Sequence, residues 1–172
     1  LGAGEHLSEW GSITAYHTDK EDGGVVRDSL SHSIDLVHWM CGKIERVTSI
    51  IGSSGTFGKS ISDTATVLCG MENGAGISVH VDYFQNPRSN KIEILSSSIG
   101  FPNHFSWVFD PLEAEEMYRR EMRSLAHCVE KGIQGQPDLA QGILNMEVLD
   151  AVILSNEDRR SVQIKNRWKE IV

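Results

Sequence analysis

Two polar side chains in a predicted helix have the types and the spacing of an acid–base pair. Asp28 precedes His32 by four residues, so an α-helix of 3.6 residues per turn places both side chains on one face. A carboxylate beside an imidazole fixes the tautomer of the ring and raises its basicity, which is what abstraction of a hydroxyl proton near pH 7 requires. The spacing therefore predicts that His32 transfers a proton and that Asp28 orients it. The structural alternative, a helix cap at Asp28 and an ordinary surface imidazole at His32, stays open on this pattern alone.

The same helix has a second face, which is apolar. Asp35 and Trp39 continue the polar face at i+7 and i+11 from Asp28, whereas a surface helix usually carries Lys and Glu opposite its core face. His38 lies about 120° from His32 around the helix, so the two imidazoles are poorly placed to share a metal, and no metal site is predicted. The apolar face and the glycine that ends the helix are Leu30, Ile34, Val37, Cys41 and Gly42.

The remaining elements predict one α+β domain over residues 1–172. Alternating apolar residues flank Asn73 and Gly74, which is a strong hairpin signal, and the sequences "IERVTSIIG", "NKIEILSSS", "HFSWVF" and "SVQI" are typical of strands. Further helices are predicted after Asp110 and after Asp138, while residues 1–24 have no sustained period and are expected to form an irregular arm. We expect an open, mixed, mainly antiparallel sheet with helices on one face. Its other face would carry Thr64, Thr66, Ser78, His80 and Asp82.

Composition excludes several classes of partner. The 172 residues include 16 Lys plus Arg and 24 Asp plus Glu, and the net charge of −8 disfavours nucleic acid and an anionic membrane surface. No apolar run is long enough for a membrane span, and no export signal is recognisable. The three cysteines, Cys41, Cys69 and Cys128, are widely separated, so we expect reduced thiols in a cytoplasmic protein. The chain begins with Leu rather than Met, and we expect it to be one domain of a longer protein.

No segment predicts a dinucleotide site or a serine nucleophile. "GAGEHL" contains G-x-G but lacks the third glycine and a preceding strand, both of which the dinucleotide fingerprint requires. The serines around His32 are not in a G-x-S-x-G elbow, which disfavours a serine hydrolase. Cofactor-binding residues are therefore not predicted within this chain.

Several segments together resemble the Gfo/Idh/MocA oxidoreductases, the family that includes glucose-fructose oxidoreductase and inositol dehydrogenase. "GGVVRDSLSHSIDLVHWMCG" is similar to the family's G-G-G-x-L-x-D-x-x-x-H-x-x-D-x-x-x-W-x-x-G segment. "DTATVLCGMENGAGISVHVDY" resembles its strand, N-G-A turn and strand. "KIEILSSSIG" and the segment from "YRREMRSLAHCVEKG" to "SVQI" resemble its closing elements. The resemblance covers nearly the whole chain, but only the C-terminal half of the family's architecture.

The resemblance implies a function for the aligned residues. His32 and Asp28 match the family's D-x-x-x-H pair, which works beside the nicotinamide with a lysine from the other domain, and Asp35 matches a structural acid. Trp10, Tyr16 and His17 fall where relatives approach the substrate. The implied cofactor is NAD or NADP, bound mainly by an N-terminal Rossmann domain that this chain lacks. The implied substrate is a sugar, sugar derivative or polyol, and the open sheet face is implied to form a homo-oligomer.

Two other functions remain open at this stage. The first is a non-catalytic oligomerisation or binding module that has kept the fold. The second is a metal-assisted hydrolase or isomerase that uses Asp28, His32 and His80. Ser33 departs from the Glu or Tyr that often follows the histidine in the family, and some members act as hydrolases or lyases through a transient oxidation, so the direction of the reaction is also open.

Overall fold

The structure is a computed structural model, and it describes residues 24–57, 61–85, 90–95, 104–109 and 114–165. The predicted substrate residues Trp10, Tyr16 and His17 lie outside these ranges, as does the predicted helix cap at Asp110. The chain divides into two compact units, one formed by Leu1–Phe84 with Leu139–Val172 and the other by Gln85–Asp138. The elements, in chain order, are a π-helical turn at Val26–Leu30, α1 (Ser31–Cys41), β1 (Ile44–Gly52), β2 (Thr64–Met71), β3 (Gly76–Asp82), β4 (Asn90–Leu95), β5 (His104–Phe109), α2 (Ala114–Lys131), α3 (Leu139–Asp158) and β6 (Val162–Gln163).

A four-stranded antiparallel sheet forms the centre of the first unit, in the order β3-β2-β1-β6. The hairpin between β2 and β3 turns at the predicted position, and Gly74 has a φ of +85°, which glycine adopts without steric cost. The carboxamide of Asn73 fixes this turn: it accepts a hydrogen bond from the backbone N–H of Ala75 at 3.0 Å and donates one to the carbonyl of Cys41 at 3.1 Å. The turn is therefore tied to the end of α1. The predicted α+β class and antiparallel sheet are confirmed.

The core lies between one face of this sheet and the helices α1 and α3. Alternation along a strand sends every second side chain to this face, and Val47 and Val67 are fully buried there. The predicted apolar face of α1 supplies Leu30 and Ile34, also fully buried, and Gly42, with a φ of +87°, ends the helix as expected. The buried residues of α3 are Val148, Leu149, Ala151, Val152 and Ser155.

Two buried serines fix how α3 lies along β1. The Ser49 hydroxyl donates to the Val152 carbonyl at 2.6 Å, and the Ser49 backbone N–H donates to the Ser155 hydroxyl oxygen at 3.1 Å. Ser155 in turn donates to the Arg160 carbonyl at 2.7 Å. Apolar contacts have no preferred direction, whereas these hydrogen bonds do, so they select one register between the helix and the strand.

The second unit consists of the antiparallel β4–β5 hairpin and α2. Glu93 of β4 contacts Lys91 at 2.9 Å and His104 at 3.3 Å, and these hydrogen bonds, the one from Lys91 first, lower the pKa of the Glu93 carboxyl. Helix α2 has the predicted apolar stripe. Its members are exposed within this unit: Tyr118, Met122, Leu125 and Val129. Among the helices in the described ranges, none is long and apolar enough to span a bilayer.

Truncation of a core leucine in α3 tests this packing. Leu149 is fully buried, so Leu149→Ala is expected to lower the free energy of unfolding by about 2–5 kcal/mol through lost contacts and a residual cavity. Leu139 lies on the same helix and is 80% exposed, so Leu139→Ala is expected to cost less than about 0.5 kcal/mol. Urea unfolding of both variants measures the difference. Equal losses would contradict the placement of the core.

Candidate active site

Asp28 and His32 lie at the beginning of the helical segment, on either side of a change in helix type. The sequence predicts an α-helix from Asp28, but the structure has a π-helical turn through Leu30, and α1 begins at Ser31. A π turn contains more residues than an α turn, so residues four apart across it are no longer stacked directly above each other. The Ser31 hydroxyl donates to the carbonyl of Asp28 at 2.5 Å, which satisfies a backbone acceptor within the widened turn.

Close backbone packing fixes where this segment starts. Gly24 has a φ of +80°, and a Cβ atom there would lie 2.9 Å from the carbonyl oxygen of Ser62. The next residue, Val25, is fully buried and donates its N–H to the same carbonyl at 2.9 Å. Only glycine fits this position, because any side chain would collide with the segment that leads into β2. The glycine thus brings the π turn against the sheet.

The carboxylate of Asp28 is held by hydroxyl donors. The phenol of Tyr83, just after β3, donates to Oδ2 at 3.0 Å, and the Ser29 hydroxyl donates to the same oxygen at 3.2 Å. The His32 side chain is exposed, and within the described residues no hydrogen bond joins it to Asp28. The site therefore combines a fixed carboxylate with an accessible imidazole.

A second histidine of α1, His38, is buried at the contact with α3. Asn145 donates its amide to Asp35 Oδ1 at 2.7 Å, and because a carboxylate only accepts, this fixes the orientation of the carboxamide. Asn145 Oδ1 then faces His38 Nδ1 at 2.7 Å, so Nδ1 carries the proton and donates it. Gln141 Nε2 lies against both groups, 3.2 Å from Asn145 Oδ1, to which it donates, and 3.1 Å from His38 Nδ1. Asp35 thus accepts a hydrogen bond that ties α1 to α3.

The environment of His38 keeps its ring neutral. Burial lowers the pKa of His38, and the hydrogen bond with Asn145 and the charge of Asp35 oppose this shift only in part. The charge of Lys43 lowers the pKa slightly further. Nε2 is buried and has no hydrogen-bond partner in the part of the chain that the structure describes. A proton added there would place an imidazolium in a poorly solvated position.

The open face of the sheet carries another polar chain. Asp82 Oδ2 lies 3.2 Å from His80 Nε2, and His80 Nδ1 lies 2.9 Å from the Thr66 hydroxyl. Thr66 and His80 are direct partners across β2 and β3, as the predicted shared face requires. His80 is therefore grouped with Asp82 and Thr66, on the sheet face opposite the core. Across the described residues, no group of three or more His, Cys, Asp or Glu side chains could hold a metal ion.

Sequence reasoning missed Tyr83 and Asn145 as partners of the site-bearing helix. Tyr83 continues the alternation of apolar residues after Gly74, and nothing local in the sequence shows that its hydroxyl reaches Asp28. Asn145 lies in the predicted helix after Asp138, and its amide among apolar residues is a signal that could have indicated a buried polar contact.

An antiparallel sheet covered on one face by helices, with an aspartate and a histidine at the start of one of those helices, defines an α+β domain. The sequence gives the family: residues 4–99 match the model described as the GFO/IDH/MocA C-terminal domain. The chain belongs to the Gfo/Idh/MocA family, as its resemblance predicted. No curated protein matches the chain by sequence.

Solved structures with the same fold include two dehydrogenases and GenD2, and two of these three structures hold a nicotinamide cofactor. A levoglucosan dehydrogenase in complex with NADH is 14% identical, with a TM-score of 0.71 over 89% of this chain and 54% of its own. A myo-inositol dehydrogenase from Corynebacterium glutamicum is 17% identical, with a TM-score of 0.72 over 85% of this chain and 51% of its own. GenD2 from gentamicin A biosynthesis, in complex with NAD, is 18% identical, with a TM-score of 0.71 over 90% of this chain and 52% of its own. The chain thus spans about half the length of these proteins.

The buried imidazole predicts acid sensitivity. Because the folded-state pKa of His38 is lowered, its contribution to stability is complete above the unfolded pKa of about 6.5 and is lost as the pH falls towards the folded value. We expect the free energy of unfolding to fall below pH 6.5 through this group by less than about 1.4 kcal/mol per pH unit, the limit for one proton.

Urea unfolding at several pH values measures this effect. The variant His38→Gln is expected to remove this part of the slope, whereas His127→Gln, at an exposed position of α2, is expected to keep it. An unchanged slope in His38→Gln would contradict a neutral, buried His38.

Proposed function

We propose that this chain is the substrate-binding and oligomerisation half of an NAD(P)-dependent oxidoreductase that acts on a sugar, a sugar derivative or a polyol. Family membership supports an oxidoreductase domain. Structures of the levoglucosan dehydrogenase hold NADH with levoglucosan or with L-sorbose, which supports this class of substrate. The observation that carries the proposal is the placement of a hydroxyl-bound carboxylate, Asp28, and an exposed imidazole, His32, at the start of one helix.

His32 is the proton-transfer residue in this proposal. Oxidation of an alcohol removes a hydride from carbon and a proton from oxygen, and a neutral imidazole is a suitable acceptor for that proton near pH 7. Asp28 accepts hydrogen bonds on Oδ2, so its carboxylate is held in place, and in this proposal its fixed negative charge orients His32 and stabilises the imidazolium that forms. In the opposite direction, the imidazolium returns the proton to the substrate oxygen.

Cofactor binding is assigned mainly to the rest of the full-length protein. In the described ranges, no strand runs through a glycine-rich turn into a helix, so these residues do not form a dinucleotide site. The chemistry that a bound nicotinamide supplies is hydride transfer, and the part of this chain is the proton and the substrate contacts. The proposal retains Trp10, Tyr16 and His17 as substrate residues and a lysine from the other domain as partner of His32. It places the enzyme in the cytoplasm, with the free thiols in support.

A second copy of the chain is the proposed occupant of the open sheet face. Ile50 and Leu68 are 74% and 57% exposed there, on neighbouring strands. Arg46 lies at one end of this face and Asp82 at the other. The Arg46 side chain extends over Gly70, because a Cβ atom on Gly70 would be 2.7 Å from Arg46 Nε. If the open faces of two copies met about a two-fold axis perpendicular to the strands, the end of each face that carries Arg46 would lie over the end of the other that carries Asp82.

Removal of the proton acceptor tests the catalytic assignment. In the full-length protein, His32→Ala is expected to lower kcat for oxidation of the active substrate by about 10²–10⁴-fold, the usual contribution of general acid–base catalysis. The assay follows NADH or NADPH formation with myo-inositol, levoglucosan and related polyols. His127→Ala, at another exposed histidine, is the matched control and should keep wild-type activity.

Two outcomes would contradict the assignment. Wild-type turnover in His32→Ala would remove His32 from the mechanism. A full-length wild-type protein that binds neither cofactor nor polyol would favour the non-catalytic module.

A charge on the open face tests the assembly. Leu68→Glu is expected to weaken self-association at least tenfold, because the interface would bury an unpaired carboxylate. Leu95→Glu changes a leucine that is 81% exposed on β4 and should leave the oligomeric state unchanged. Light scattering coupled to gel filtration over a concentration series measures both. Wild-type association in Leu68→Glu would exclude this face as the interface.

A further inference from the structure

Tyr83 connects the end of β3 to the carboxylate of the site. Its phenol donates to Asp28 Oδ2 at 3.0 Å, although the two residues are 55 positions apart in sequence. The Tyr83 side chain is 8% exposed, so most of it lies within the core. A phenylalanine would fill the same space, and the hydroxyl is therefore the part of Tyr83 that serves the aspartate rather than the packing.

An aromatic contact with Phe57 fixes the ring of Tyr83. Phe57 meets it edge to face, with ring centroids 5.8 Å apart and an interplanar angle of 90°. Phe57 also stacks on Phe84, the next residue along, with centroids 6.1 Å apart. Edge-to-face pairs of this kind are favourable and directional, so they limit rotation of the phenol.

The backbone of Tyr83 is held by a loop built around a buried carboxylate. The Tyr83 N–H donates to the Asp63 carbonyl at 3.1 Å, and the Asp63 N–H donates to the Gly52 carbonyl at 3.0 Å. The Asp63 side chain is fully buried, and Asp63 Oδ2 accepts hydrogen bonds from the Ser54 N–H at 2.8 Å and from the Ser54 hydroxyl at 2.6 Å. These hydrogen bonds through Asp63 therefore fix the position of the Tyr83 backbone, and with it the direction in which the side chain leaves the chain.

We propose that Tyr83 is a positioning residue for Asp28, and that the loop built on Asp63, together with Phe57, forms the support that holds it. This inference rests on the proposed function, since it assigns Tyr83 to the same site. The π turn places Asp28 on a segment with an irregular backbone, where a carboxylate on its own would sample several rotamers. Together with the Ser29 hydroxyl, the rigid phenol on the sheet selects one of them and fixes the negative charge that orients His32, and misplacement of a catalytic group by about 1 Å can cost 10²-fold in rate.

The test is a double-mutant cycle in the full-length protein, with the substrate that shows the highest turnover among myo-inositol, levoglucosan and related polyols with NAD⁺. Tyr83→Phe is expected to lower kcat about 10–100-fold while KM changes less than threefold. In the Asp28→Asn background, the same change is expected to have less than a twofold further effect, because a residue that acts through Asp28 has nothing left to position. Tyr118→Phe, which removes an exposed phenol from α2, is the matched control.

A second variant covers the case in which Tyr83→Phe does not fold. Phe57→Leu leaves the phenol in place but removes the ring that fixes it, so we expect a smaller loss of kcat that also disappears in the Asp28→Asn background. Thermal melting of every variant separates loss of fold from loss of positioning.

The outcomes separate this inference from the function on which it rests. If the wild type turns over and Asp28→Asn is impaired, but Tyr83→Phe has wild-type kcat, the positioning role is overturned and the oxidoreductase stands. Losses from Tyr83→Phe and Asp28→Asn that multiply would overturn the role in the same way. A wild type that transfers no hydride with any of these substrates overturns the proposed function and the positioning role together.

Discussion

Burial of one face of the four-stranded sheet under α1 and α3 is the constraint on which the first compact unit depends. Val67 on the sheet, Ile34 on α1 and Leu149 on α3 are all fully buried in this contact. Rotation of α1 about its axis would expose Ile34 at a cost of about 1.5–3 kcal/mol and would bury a polar imidazole instead. The same burial that builds the core therefore leaves His32 exposed and turns the start of the helix towards the end of β3.

Hydrogen bonds inside this apolar contact set the register that hydrophobic burial leaves free. The Ser49–Ser155 contact fixes α3 along β1, and the chain from Asp35 through Asn145 to His38 fixes α1 against α3. Each buried donor or acceptor would cost about 1–3 kcal/mol if left without a partner, so alternative registers are disfavoured. The helix that carries the proposed site is thus held by directional contacts as well as by apolar area.

The two residues of the proposed site differ in the freedom that the structure gives them. Asp28 is bound to Tyr83, which itself depends on the buried Asp63 loop, whereas His32 projects from the first turn of α1 as an exposed side chain. A fixed carboxylate and an exposed imidazole at the start of one helix suit the proposed reaction, in which a hydroxyl proton leaves and returns. The opposite face of the sheet is partly apolar, with Ile50 and Leu68 exposed, and it is the face proposed to contact a second subunit.

Local periodicity in the sequence was sufficient for the fold class, the end of α1 at Gly42 and the hairpin at Asn73 and Gly74, and a motif of fixed spacing was sufficient for the family. These features depend on neighbours two to four residues apart, or on a motif of fixed spacing, and a sequence displays both directly. The π turn, the Tyr83 contact with Asp28 across 55 positions and the His38 contact with Asn145 across 107 were decided only by tertiary structure. Their geometry depends on how helices and strands pack in three dimensions, and residues that far apart leave no periodic trace in one chain.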